Sequence, residues 1–144
     1  MKVYLDNCCF NRPFDDQSKI RIKLEAEAKL YIQEKIRQGV VELVWSYILD
    51  YENSMNPFEE RRRSISEWRR EAVVDVEETS EVLDRSNILC KAGMKSKDGL
   101  HISCAIHAHC EYFLTTDDVV LKKAKSIREL KIVDPSTFIR EVNL

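Results

Sequence analysis

The chain is poor in the residues that break structure. Its 144 residues include only three glycines and three prolines, which leaves little room for linkers or low-complexity segments. No apolar run approaches the ~20 residues that a membrane span requires. There is no excess of positive charge: the net charge is −2, so a polyanionic partner would need a local basic patch. No C-x-x-C pair occurs among the five cysteines, and an odd number with Cys8 beside Cys9 does not form a disulfide framework. Free, buried thiols in a reducing compartment are expected instead. The opening MKVYLDNCC meets an acid at position 6, unlike a secretory signal, and points to a cytoplasmic protein. No repeat of fixed period is visible.

What is present is a single domain, 1–144, long enough for a core. Val3-Tyr4-Leu5 reads as a strand ending at Asp6, and 7–16 as a polar loop carrying Arg12-Pro13. Ser18 is placed to cap a long amphipathic helix with apolar Ile22, Leu24, Ala26, Ala28, Leu30, Tyr31, Ile32 and Ile36, closed by Gly39. Val40–Trp45 is a second strand, and Ser46 caps a helix that carries Glu52. Asn56-Pro57 opens a helix running through Glu71, rich in arginine and carrying Trp68. Ala72–Val76 is a third strand. Thr79 or Ser80 caps a helix to Ala92, stopped by Gly93. Then come an apolar helix from Asp98, a strand Tyr112–Leu114, a short helix from Asp118, a strand Lys131–Val133 and a helix from Pro135. Strands alternating with helices predict an α/β fold, a three-layer α/β/α sandwich with a central parallel five-stranded sheet.

Four acids acquire meaning from position. Asp6 follows the first strand and Asp117 follows Tyr112–Leu114 with two threonines between, so both emerge at the carboxyl edge, where open parallel sheets bind ligands. Asp98 lies in the first turn of its helix, and Glu52 within the second turn of a helix that starts at the same edge. Taken singly, Asp98 is a dipole partner, Asp6 a turn residue and Asp117 an N-cap. Clustered, the four would repel unless divalent cations relieved them. Mg²⁺ or Mn²⁺ prefers oxygen ligands, and such ions activate water against phosphoryl groups. The chemistry implied is metal-assisted phosphodiester hydrolysis.

Together VYLDNCCFNRP, WSYILDYE, SKDGLHISCAI and FLTTDD resemble a PIN domain, the ribonuclease fold typified by the toxins of VapBC toxin–antitoxin pairs. The likeness runs from Val3 to about Val133. It implies Mg²⁺- or Mn²⁺-dependent cleavage of RNA, with Asp6, Asp98 and Asp117 holding metal and Glu52 completing the coordination or orienting a metal-bound water. Thr115 matches the hydroxyl residue that supports the acids and stands beside the substrate. A small antitoxin and a homodimer are further implications of the resemblance. Gly99 departs from a strong helix start, since Gly costs roughly 1 kcal/mol relative to Ala inside a helix. The pair Asp117-Asp118 leaves open which acid points inward, and the motif favours Asp117.

Asn7 and Arg12 fall near this site and are candidate phosphate contacts, against an ion pair of Arg12 with Asp15 or Asp16. His101 shares a helix face with Asp98 and is read as a packing histidine, while His107 and His109 diverge on their helix. The arginines at 61–70 form either an RNA-binding patch with Trp68 as a stacking ring or a solvated helix laced with i,i+4 pairs. Tyr31 and Trp45 read as core. Two rival functions remain in view. One is a catalytically weak PIN-fold module that binds RNA or protein. The other is a phospho-acceptor receiver, disfavoured by the lack of a strand-borne lysine after an acid cluster.

Overall fold

The computed structural model describes residues 1–144. Five strands, β1 (Lys2–Leu5), β2 (Glu42–Ser46), β3 (Ala72–Val76), β4 (Tyr112–Leu114) and β5 (Lys131–Val133), form one all-parallel sheet in the order β3-β2-β1-β4-β5. The helices between them are α1 (Asn7–Asn11), α2 (Ile20–Arg37), α3 (Tyr47–Ser54), α4 (Glu59–Ser66), α5 (Ser80–Lys91), α6 (Ser96–His107), α7 (Asp118–Lys123) and α8 (Pro135–Val142). This is the expected three-layer α/β/α sandwich. The chain builds outward from β1 through β2 to β3, then returns to place β4 on the other side of β1. That reversal opens a crevice between the carboxyl ends of β1 and β4.

The period-2 alternation of a strand assigns the layers. Tyr4 and Phe113 stack at 5.3 Å, and Tyr4 meets His101 of α6 edge-on at 5.6 Å. The neighbouring Tyr112 points the other way and meets Phe138 of α8 at 4.9 Å. The helices α6 and α8 therefore cover opposite faces. Gly99 has a packing reason: a Cβ there would lie 3.1 Å from Cys90 Sγ and 3.2 Å from Ser86 Oγ. The weak helix former is what lets α6 approach α5.

Several expectations need correction. The segment 7–16 is not a polar loop: α1 and a 3₁₀ turn at Arg12–Phe14 occupy most of it. Asp6 accepts a hydrogen bond from the Asn7 N–H to start α1, which then buries Cys9 and Phe10. Five residues are too few for a helical period to show in sequence. Ser18 does not cap α2; its N–H and hydroxyl both bond Asp16 Oδ1, and Lys19 takes the cap position without a side-chain bond. The arginine-rich helix ends at Ser66 and continues as a 3₁₀ helix, Glu67–Glu71, which carries the buried Trp68. All five cysteines are free.

The inner face of α2 is the largest surprise. Leu24, Leu30 and Tyr31 are 57%, 50% and 41% exposed, so Tyr31 is not core, whereas Glu25, Lys29 and Gln33, spaced by four, are buried. Glu25 is held by Arg12 at 3.0 Å and Arg21 at 3.6 Å. Lys29 has its ammonium 5.2 Å from the Phe10 ring and 5.8 Å from Trp68. Burial pulls its pKa down to about 7. The unfolded chain, with an ordinary lysine near 10.4, therefore binds more protons between these two values, and stability rises with pH across that window. The contribution is full above the unfolded value and lost as pH falls through about 7. Lys29→Met removes the titration. Urea melts of both proteins from pH 7 to pH 10 should show wild type gaining on the variant by ~2 kcal/mol or more. Parallel pH curves would contradict the burial of an unpaired amine.

Candidate active site

The crevice between β1 and β4 is a cleft of about 420 Å³ lined by Asp6, Asn7, Cys8, Glu52, Lys95, Ser96, Lys97, Asp98 and Asp117. All four acids singled out in the sequence border it. They arrive by different routes. Asp6 leaves the end of β1, Asp117 follows the end of β4 and Glu52 comes from the second turn of α3. Asp98 stands in the first turn of α6. Ser46 at the end of β2 caps α3 through a hydrogen bond from the Leu49 N–H, which fixes where that helix starts.

Each acid is oriented by donors. Asp6 Oδ1 accepts from the Asn7 N–H at 2.8 Å, and Oδ2 accepts from the Thr115 hydroxyl at 2.8 Å and the Cys8 thiol at 3.5 Å. The Thr115 hydroxyl also accepts from the Asp117 N–H at 3.1 Å, which ties the two strand ends together. Thr115 itself is buried and acts on Asp6 from behind the cleft wall. Asp117 caps α7, its Oδ1 accepting from Val119 and Val120. Asp118 instead faces outward and pairs with Arg21 at 2.7 Å. Glu52 Oε2 accepts from Asn7 Nδ2 at 3.4 Å, and Oε1 meets His101 Nε2.

The electrostatics follow from this crowding. The Asp98 carboxyl is raised above the ordinary range, first by burial and then by the negative charges of Asp6 and Asp117. For Glu52 burial opposes ionisation, but the hydrogen bond from His101, together with Lys97 and the Asn7 amide, holds its carboxyl below that range. Asn7 Oδ1 is buried without a donor. Turning the amide would set an oxygen against Glu52, so the orphaned oxygen follows from the network. Four carboxylates and a lone amide oxygen form a donor set suited to a hard divalent cation. Asp6, Glu52 and His101 also present ligand atoms within 4.8 Å of one another.

Arg12 does not line the cleft; its guanidinium is held by Asp15 at 3.2 Å and Glu25 at 3.0 Å. Four of the five arginines of 61–70 are similarly engaged, and the fifth, Arg70, is exposed. Arg61 bonds Asp15 and the Phe14 carbonyl, Arg62 the Asn56 carbonyl, Arg63 pairs with Glu59, and Arg69 with Asp75. Trp68 is buried against the Arg37 guanidinium at 4.6 Å and offers no stacking face. The cations at the cleft are Lys95 and Lys97, which the sequence reading passed over. Their signal was position alone, immediately before Asp98. His101, read as a packing residue, is buried in the core and also reaches the acids, with Nε2 4.0 Å from Asp6 Oδ1.

The chain matches no family profile and no curated protein. Among solved structures, it is similar to a chain of VapBC2 from Rickettsia felis bound to a promoter DNA fragment. There the TM-score is 0.57 at 14% identity, covering 92% of this chain and 97% of that one. VapBC-1 from nontypeable Haemophilus influenzae gives 0.57 at 18% identity, covering 94% and 99%. DNA-bound VapBC from Salmonella typhimurium gives 0.53 at 15%, covering 94% and 98%. At these identities the likeness concerns the fold, and over nearly the whole chain that fold is the PIN-like α/β/α sandwich of VapBC chains.

Proposed function

We propose that the protein is a divalent-metal-dependent endoribonuclease, the toxin of a toxin–antitoxin pair. The observation that carries this reading is Asp98, a carboxyl raised by burial and by Asp6 and Asp117 in a cleft that gathers four carboxylates. Such a set is suited to Mg²⁺ or Mn²⁺. Asp6, Asp98 and Asp117 are the proposed ligands, with Glu52 completing the set or orienting water. A bound ion would supply Lewis acidity toward a phosphoryl oxygen and a hydroxide-like water at neutral pH. The chain's own residues do the rest. Thr115 and the Asn7 N–H hold both oxygens of Asp6, and His101 and Asn7 keep Glu52 ionised. Lys95 and Lys97 stand at the rim, placed to receive backbone phosphates.

The fold shared with VapBC chains supports an antitoxin as partner, and the same likeness motivates a homodimer. A binding module without catalysis is the second reading, and the four acids facing one cleft favour the enzyme over it. Incubation with total RNA and Mn²⁺ should give fragments, and chelation should stop their formation. Lys95→Ala with Lys97→Ala should weaken RNA binding at least ~10-fold and flatten the slope of log affinity against log salt by ~1–2, since each phosphate contact contributes about 0.7–0.9 to that slope. Arg62→Ala with Arg63→Ala should leave both unchanged. The opposite pattern would move the RNA path to α4.

A further inference from the structure

Beneath the carboxylates runs a chain of buried polar groups that ends on Glu52. The Leu49 N–H donates to Ser46 Oγ at 3.3 Å. Ser46 Oγ lies 2.6 Å from the Tyr4 hydroxyl, and that hydroxyl lies 2.6 Å from His101 Nδ1. His101 Nε2 then meets Glu52 Oε1. Tyr4, Ser46 and His101 are fully buried.

The two ends of this chain fix its protons. A carboxylate accepts only, so Nε2 carries the hydrogen that faces Glu52. In a neutral imidazole Nδ1 is then an acceptor, and the Tyr4 hydroxyl must donate to it. Ser46 gives its proton to the Tyr4 oxygen and accepts from the Leu49 N–H. Every group is satisfied in one arrangement. Burying three polar side chains in a sheet core costs free energy that Phe or Leu would not. The run ends on an acid in the cleft, not on a backbone carbonyl.

We propose that Tyr4 and His101 form a positioning relay that sets the orientation of Glu52 before metal or substrate arrives. The Tyr4 ring is stacked nearly parallel to Phe113, at 8°, so the phenol that holds the imidazole at Nδ1 is itself immobilised. Asn7 Nδ2 covers the other carboxylate oxygen. A glutamate side chain, with three rotatable bonds, is thereby reduced to one pose facing Asp6. This inference rests on the reading of the cleft as a divalent-ion nuclease site.

The test compares wild type with Tyr4→Phe, His101→Gln and His101→Leu by three measurements. These are nitrogen NMR of the His101 ring in metal-free protein, calorimetric Mn²⁺ affinity, and kcat and KM on RNA. Wild type should show the Nε2–H tautomer. Tyr4→Phe, in which Glu52 still accepts that hydrogen, should keep it while lowering Mn²⁺ affinity and kcat in the same direction as His101→Leu, by a smaller factor. His101→Leu should lower Mn²⁺ affinity and kcat by about ten- to a hundredfold with KM within about twofold, as expected of a residue that orients a ligand. His101→Gln, whose amide nitrogen stands in for Nε2, should recover most of the loss. An Nδ1–H tautomer in wild type overturns the relay. So do variants that bind Mn²⁺ and cut RNA like an active wild type. If His101→Leu does not fold, Tyr4→Phe, lacking one hydroxyl, carries the comparison. A wild type that binds no Mn²⁺ and cuts nothing defeats the nuclease reading instead. The tautomer alone then decides the relay, Nε2–H sustaining it and Nδ1–H overturning it.

Discussion

Asp98→Asn is expected to cut RNA at least ~100-fold more slowly than wild type with Mn²⁺ present, while melting ~2–4 °C higher in metal-free buffer. The two effects have one cause. Burial and the charges of Asp6 and Asp117 raise the Asp98 carboxyl in the folded protein. A carboxyl raised on folding lends its stability below the unfolded pKa and loses it as pH rises through the folded value. At neutral pH and without a cation, wild type therefore carries an uncompensated penalty that the neutral amide lacks. Mn²⁺ should invert the order, since only wild type gains from binding. A variant melting below wild type without metal, or cutting RNA equally fast, would contradict the assignment of Asp98.

Phe10→Ala is expected to have the largest effect on stability, ~3–5 kcal/mol, or a fall of about 10 °C in Tm. The ring is fully buried and meets Trp45 edge-on at 5.3 Å, and the Lys29 ammonium lies over it at 5.2 Å. Removing it leaves a cavity and an unshielded buried amine. The loss should reach function as well, because Phe10 anchors the short α1 that begins at Asp6. Chemical melts and RNA cleavage on the same preparation should fall together. A stable variant with weakened cleavage would show that α1 aligns Asp6 without contributing to the core.

Much of this architecture is legible in the sequence because the strands are short, apolar and followed at once by polar punctuation. Ala72–Val76, Tyr112–Leu114 and Lys131–Val133 are found at the expected bounds. The strand order is not legible, since each βα unit reads alike whichever neighbour it pairs with. Yet that order places Asp6 beside Thr115–Asp117. The convergence of the four acids could be argued from edges alone, whereas Lys95, Lys97 and the Tyr4–Ser46–His101 chain could not. A tyrosine in one strand and a histidine on a distant helix carry no mutual signal until packing joins them. The inner face of α2 misleads for a related reason. Its Ala26, Ala28, Ile32 and Ile36 are buried as the pattern predicts, but Glu25 and Lys29 are buried beside them because arginines and aromatic rings meet them, which hydrophobic periodicity does not register.

The central claim is that the acids around Asp98 hold a divalent ion that cuts RNA. Calorimetric titration of Mn²⁺ into wild type and Asp98→Asn, followed by cleavage of total RNA by the same samples, tests it most directly. Binding and cutting should both be present in wild type and both lost in the variant. A wild type that takes up no Mn²⁺ and leaves RNA intact would contradict the nuclease and leave a PIN-like fold that works by binding.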